Sequence, residues 1–198
     1  EYSNHQYKPM KNAYAGHLKY SFQLRPHTVA DQAYIGAYQG IGVGYFNFGN
    51  PEELGNPLAV YLFQGGRIAQ FSPRISLNYE WNFGASFGWK PYDEYDNPEN
   101  QIIGSKVNAY LNVNLYLKWA LSPKFDLMIG ATGSHFSNGN TQYPNSGLNT
   151  VDCKVGLVYN FNRRADELAQ SWQHPIVPPF PRHVSYDLTL FGSWRKKA

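Results

Sequence analysis

Residues 75–89 read Ile75-Ser-Leu-Asn-Tyr-Glu-Trp-Asn-Phe-Gly-Ala-Ser-Phe-Gly-Trp89. Ile75, Leu77, Tyr79, Trp81, Phe83, Ala85, Phe87 and Trp89 fall on one phase of a two-residue period. Arg74, Ser76, Asn78, Glu80, Asn82, Ser86 and Lys90 fall on the other. Successive side chains leave a β-strand on opposite faces, so this alternation specifies a strand with one apolar face and one polar face. The run is too long for most soluble sandwiches. Its apolar face is capped by Tyr and Trp, where the aromatic girdle of a membrane barrel sits. One face is therefore expected to meet lipid.

The same rule recurs along the chain. Leu18, Tyr20, Phe22 and Leu24 oppose Lys19, Ser21, Gln23 and Arg25. Ile35, Ala37, Ile41, Val43 and Tyr45 oppose Gly36, Gly40, Gly42 and Gly44. Residues 58–71 form a less regular strand, with a bulge or kink expected at Gly65-Gly66. The alternation returns over 107–121, 125–131, 149–161 and 184–194. Together these make an all-β, antiparallel transmembrane β-barrel with about eight strands visible. The Gly40-Ile-Gly-Val-Gly44 run lacks the helix that a dinucleotide loop requires. Alternate glycines on an inner face instead relieve crowding and allow curvature.

Composition agrees with a barrel. Aromatic residues make up 17% of the chain and charged residues 16%, against roughly 25% charged in a typical globular domain. Mean hydropathy is still −0.51, because Tyr, Asn, Gln, Ser and Gly replace the charges. No segment approaches the roughly 20 apolar residues of a transmembrane helix. A net charge of +3 without a basic stripe argues against a nucleic-acid partner. The single cysteine, Cys153, gives neither a disulfide framework nor a zinc pattern. Asp93, Glu94, Asp96 and Glu99 lack calcium-loop spacing and read as a solvated loop. No metal and no cofactor is expected.

Ser72-Pro73 and Ser122-Pro123 mark the tightest turns, and short turns in outer-membrane barrels are periplasmic. The loops near 49–57, 91–105 and 139–148 are then external. Residues 1–198 read as a single outer-membrane domain, interrupted at 162–183 by a Pro-rich insertion with a short helix over 163–173. This orientation leaves both ends external. The chain begins at Glu1 without Met, so a processed chain, a fragment or a larger barrel is expected.

One external loop carries chemistry: Gly133-Ser-His-Phe-Ser-Asn-Gly-Asn-Thr-Gln-Tyr-Pro-Asn-Ser-Gly-Leu-Asn149. His135 and Ser137 share the phase of Phe125, Leu127, Ile129 and Ala131. Asn149 shares that of Val151, Cys153 and Val155. All three are expected to project outward near the external rim, where an ionisable group facing lipid suggests function. Serine needs a base to become a nucleophile and His needs an orienting partner. Residues i and i+2 on a strand lie roughly 6.5–7 Å apart at Cα, close enough for an imidazole to approach a hydroxyl. Donors for an oxyanion are needed just beyond Ser137, where Asn138 and the Asn140 amide stand. The competing reading makes the pair rim residues that merely touch lipid headgroups.

His135-Phe-Ser-Asn-Gly139, followed by Asn145-Ser-Gly-Leu-Asn149, resembles the active-site signature of outer-membrane lipid A 3-O-deacylases (PagL-type, the acyloxyacyl hydrolases). The strand around Asn78–Trp89 resembles longer relatives from Bacteroidetes-type bacteria. The resemblance implies a bacterial outer-membrane esterase that acts on an ester-linked acyl chain of lipid A or lipopolysaccharide. Ser137 would be nucleophile, His135 base, and Asn138 with Asn140 the oxyanion site. The family has Glu where this chain has Asn149, which can hold a His tautomer but cannot offset an imidazolium charge. Asp152 has the wrong phase to substitute. Two further readings stay open: a weak or inactive barrel serving as a subunit of an outer-membrane protein complex, and a channel, whose narrow lumen Arg67, Tyr110 and Tyr116 would fill.

Overall fold

The computed structural model describes residues 13–23, 34, 36–163 and 165. Within them run β1 (Tyr14–Gln23), β2 (Tyr38–Asn47), β3 (Gly55–Gln70), β4 (Ile75–Trp89), β5 (Val107–Ala120), β6 (Phe125–Ser137) and β7 (Leu148–Tyr159). They form one antiparallel sheet in sequence order, the up-and-down topology of a membrane barrel. No helix among the described residues is long and apolar enough to cross a membrane, and crossing falls to the strands. The expected strand over 184–194, and almost all of the Pro-rich segment and its helix, lie outside the described residues.

The faces follow the predicted phases. Leu62, Phe83, Leu111 and Leu115 are exposed on the outer wall. Asn78, Glu80, Asn82, Asn108, Asn112 and Asn114 are buried inside. Polar-in and apolar-out is the inverse of a soluble protein and fits a lipid surround. The β2 glycines face inward for a steric reason: a Cβ on Gly42 would lie 2.4 Å from the Tyr61 ring, and one on Gly40 2.7 Å from that of Phe63.

The interior is packed, not open. Tyr110 and Tyr116 are buried within it, where large side chains occupy the interior of a small barrel. At mid-height the buried carboxylate of Glu80 gathers side chains from four other strands. Lys19 of β1 bonds it, and Lys154 of β7 lies 3.5 Å away. Tyr38 of β2 donates to it at 3.1 Å and Asn114 of β5 at 3.3 Å. β1 and β7 are the two edges of the sheet, so a single carboxylate draws them into one curl. On the outer wall, the Tyr20 and Phe161 rings come within 6.5 Å across the same seam.

At one end the two short turns are built alike. Ser72 Oγ accepts from the Arg74 and Ile75 amides at 3.3 and 3.1 Å. Ser122 Oγ accepts from the Lys124 and Phe125 amides at 3.2 and 3.1 Å. Such hydroxyl-closed turns give each hairpin a fixed register. Arg163 folds beneath the second turn and grips Asp126 with two nitrogens, at 2.9 and 2.6 Å.

Two sequence expectations are corrected. Trp89, expected on the outer face, is buried inside. Gly88 takes a left-handed φ of 88°, which breaks the alternation. The indole then turns inward, donates to Ser86 Oγ at 2.9 Å and stacks on Phe48 at 5.6 Å. The register shifts of β3 fall between Gly55 and Leu58 and between Arg67 and Ala69, not at Gly65-Gly66. Gly65 stays in register opposite Glu80, and its missing side chain clears the Tyr38 hydroxyl, 2.3 Å from a would-be Cβ.

Removing one member of a buried charge group strands its partners. Glu80→Ala is expected to lower unfolding free energy by about 3–5 kcal/mol, measured by denaturant titration in bilayers. A loss under about 1 kcal/mol would show that both lysines tolerate burial without it.

Candidate active site

β6 ends at Ser137 and β7 begins at Leu148, with the loop 138–147 between them. Across the hairpin, His135 pairs with Asn149 and Phe136 with Leu148. The inward residues anchor this end. Phe136 is fully buried and packs against Phe46, Trp89 and Tyr110 at ring distances of 5.0, 5.2 and 5.2 Å. Aromatic pairs of this kind contribute about 0.5–1.5 kcal/mol each beyond their buried area. The residues on either side of Phe136, His135 and Ser137, therefore leave a rigid strand on its outer face. Neither is deeply buried.

His135 Nδ1 lies 2.7 Å from Asn149 Oδ1. A carbonyl oxygen only accepts, so Nδ1 carries the proton and Nε2 is left with its lone pair. Ser137 stands two residues along the same strand, and no hydrogen bond joins it to His135 among the described residues. Apo sites commonly leave this contact open until substrate arrives. Gly147 packs against both: a Cβ there would lie 3.1 Å from His135 Cε1 and 3.8 Å from Ser137 Cβ. Its φ of 72° adds a conformational reason for glycine.

Beyond Ser137 the chain turns through two left-handed residues, Gly139 (φ 65°) and Asn140 (φ 63°). The Asn138 amide donates to Asn145 Oδ1 at 3.0 Å, and its side-chain nitrogen to Gln142 O at 2.8 Å. Asn138 Oδ1 is buried without a partner among the described residues. The Asn140 amide has no acceptor among them, and its side chain receives Asn145 Nδ2 at 3.3 Å. Loop 138–147 is further braced by the loop between β4 and β5. Ser146 Oγ donates to Gln101 O at 3.1 Å, and a Cβ on Gly104 would sit 2.6 Å from the Tyr143 carbonyl carbon. That loop is itself held by Asn100, which donates to Lys90 O at 2.7 Å and accepts from the Ile102 and Ile103 amides. Asp93 closes a local turn by accepting from the Tyr95 and Asp96 amides, which also holds its carboxyl below its usual range.

Sequence reasoning named His135, Ser137, Asn149, Asn138 and Asn140, and the structure brings all five to one end of one hairpin. It missed Phe136 and Gly147, which hold the pair from inside and from above. The alternation of Phe136 between two polar residues was the available signal.

These features define a class: an outer-membrane β-barrel carrying a serine–histidine pair on its lipid-facing wall. The family model of lipid A 3-O-deacylase (PagL) matches residues 16–158, well over half of the chain, and the protein belongs to that family. Comparisons with curated proteins and with solved structures returned no match. Membership gives an outer-membrane protein of a lipid A deacylase family, whose substrate is lipid A or lipopolysaccharide. The match does not extend to a bacterial branch.

Gly147→Ala should push a methyl toward His135 and strain the left-handed backbone by about 1–3 kcal/mol. Ester hydrolysis is expected to fall at least about tenfold, equivalent to ~1.4 kcal/mol in the barrier, while the barrel still folds by its heat-dependent gel shift.

Proposed function

We propose that this protein hydrolyses an ester-linked acyl chain of lipid A through Ser137, His135 and Asn149 on the outer wall of the barrel. The observation that carries the reading is the 2.7 Å contact between His135 Nδ1 and Asn149 Oδ1. It keeps the proton on Nδ1 and leaves Nε2 as the base. Ser137 Oγ adds to the acyl carbonyl carbon as Nε2 takes its proton. The carbonyl oxygen becomes an oxyanion, assigned to the Asn140 amide and to Asn138 once its side-chain nitrogen leaves Gln142. The ester C–O bond then breaks, and the proton passes from Nε2 to the departing sugar oxygen. Water, deprotonated by the same nitrogen, releases the fatty acid from Ser137.

Asn149 limits the rate. A carboxylate would stabilise the imidazolium formed in each step, whereas an amide oxygen only orients the ring. The external rim supplies the substrate directly, because outer-leaflet lipid already surrounds the wall.

Lipid A incubated with purified protein and read by mass spectrometry tests this. Wild type is expected to remove one ester-linked chain, and Ser137→Ala and His135→Ala to remove none. Equal loss with Ser137→Ala, or no loss from wild type, would overturn the proposal. The latter result would favour the competing reading that Asn149 motivates, a barrel retained as a subunit of an outer-membrane assembly. A further expectation is that Asn149→Glu raises turnover at least about tenfold, the worth of ~1.4 kcal/mol of imidazolium stabilisation.

A further inference from the structure

The loop that carries the proposed oxyanion residues is held from two sides. Its first half closes on itself: the Thr141 amide and hydroxyl donate to Asn138 O at 3.4 and 2.9 Å. Its second half, Tyr143 to Gly147, lies on the segment Asn100–Gly104 of the loop between β4 and β5. A Cβ on Gly104 would sit 2.6 Å from the Tyr143 carbonyl carbon and 2.7 Å from the carbonyl oxygens of both Tyr143 and Pro144. All three are backbone atoms, so no side-chain rotation relieves the contact. The φ of Gly104 is not left-handed, and what excludes a side chain here is the approach of the other loop. Beside it, Ser146 Oγ donates to Gln101 O at 3.1 Å.

The segment beneath is itself fixed. Asn100 is fully buried. Its Nδ2 donates to Lys90 O at 2.7 Å and to Glu53 O at 3.2 Å, and its Oδ1 accepts from the Ile102 and Ile103 amides at 3.0 Å each. Both donors and both acceptor positions of the side chain are thereby used. Ile102 and Ile103 enter the same buried cluster as Phe48, Trp89 and Phe136. What rests on this segment reaches the reacting groups. Asn145 Oδ1 accepts from the Asn138 amide at 3.0 Å, while its Nδ2 donates to Asn140 Oδ1 at 3.3 Å. Two positions further on, Gly147 packs against His135 Cε1. A shift of residues 143–147 therefore moves the oxyanion residues and the imidazole together.

We infer that Asn100–Gly104 is a positioning floor for the serine–histidine site, on which Gly104 sets the height of loop 138–147 and Ser146 fixes its place. Two hairpins then assemble the site. The β6–β7 hairpin supplies the reacting groups, and the loop between β4 and β5 sets where the donors stand relative to Ser137. Misplacing such groups by about 1 Å can cost on the order of a hundredfold in rate. The floor acts through other residues and on the transition state, so its loss shows in kcat and not in KM. This inference rests on the proposed hydrolysis for its catalytic consequence.

The test uses the whole chain in lipid nanodiscs, with lipid A hydrolysis and amide hydrogen exchange read on the same samples. Gly104→Ala is expected to lower kcat at least about tenfold while KM stays within about twofold of wild type. Exchange in peptides from 138–147 should rise at least about fivefold, with β2 and β3 peptides unchanged as the sign of an intact barrel. Ser146→Ala should lower kcat about threefold, the worth of one hydrogen bond, and Ser146→Thr, which keeps the hydroxyl, should restore it. Ser146 is exposed, so this pair carries the test where Gly104→Ala fails to fold. An unchanged kcat in both variants, or a raised KM with kcat kept, would overturn the inference and leave Ser137-dependent hydrolysis standing. Unchanged exchange in 138–147 would overturn it as well. Wild type that releases no acyl chain, with exchange in 138–147 still raised by Gly104→Ala, would sink the hydrolysis and leave the floor as the support of that loop.

Discussion

A strand in contact with lipid has one constraint that dominates all others: its side chains alternate between two solvents. Nothing polar can face hydrocarbon without cost, and an interior this narrow must be filled. From β2 to β7 the alternation holds except at the register shifts of β3 and at Gly88, and it converts a residue's parity into its environment. His135, Ser137 and Asn149 meet the membrane because they share a phase with Ile129, Ala131 and Val151. Phe136 and Leu148 meet the aromatic interior because they do not. A one-residue slip in β6 would exchange the reacting groups for their anchors.

The interior answers the same constraint from the other side. Asn, Tyr and charged side chains turn inward, where each needs a partner because little water is left to serve as one. Glu80 meets that need for Lys19 and Lys154 together, and these lie on strands at opposite ends of the sequence order. Curling the sheet and satisfying its buried charges are thus one event. Near the end that carries His135 and Ser137 the filling changes from polar to aromatic. Phe46, Phe48, Trp89, Tyr110 and Phe136 make a dense plug directly behind the serine–histidine pair. The chemistry is mounted on a wall backed by this plug.

Much of this was legible before any coordinates. Period-two runs gave the strands and their faces, and Ser-Pro pairs located the tight turns. The positions of Tyr110 and Tyr116 foretold a filled lumen. What escaped were consequences of register and backbone sign, which local pattern does not carry. Trp89 continued its alternation in sequence, but one left-handed residue at Gly88 reversed its side. Gly65-Gly66 looked like a bulge because glycine is common at bulges, yet those glycines make room for Tyr38 and Tyr79. The site was legible as a set of residues: spacing suggested His135 with Ser137, and the phase of the following strand put Asn149 on the same wall. It was not legible as a supported structure, since Phe136 acts through neighbours far apart in the chain and Gly147 through the way its loop folds back on the strand.

The central claim is that parity places the serine–histidine pair on the lipid side of the wall. Nitroxide labels introduced singly at residues 131–137, in a Cys153→Ser background, read this directly through collision with oxygen dissolved in the bilayer. The account predicts high oxygen accessibility at positions 131, 133, 135 and 137, with minima at 132, 134 and 136. Maxima at the even positions, or no two-residue period, would contradict it.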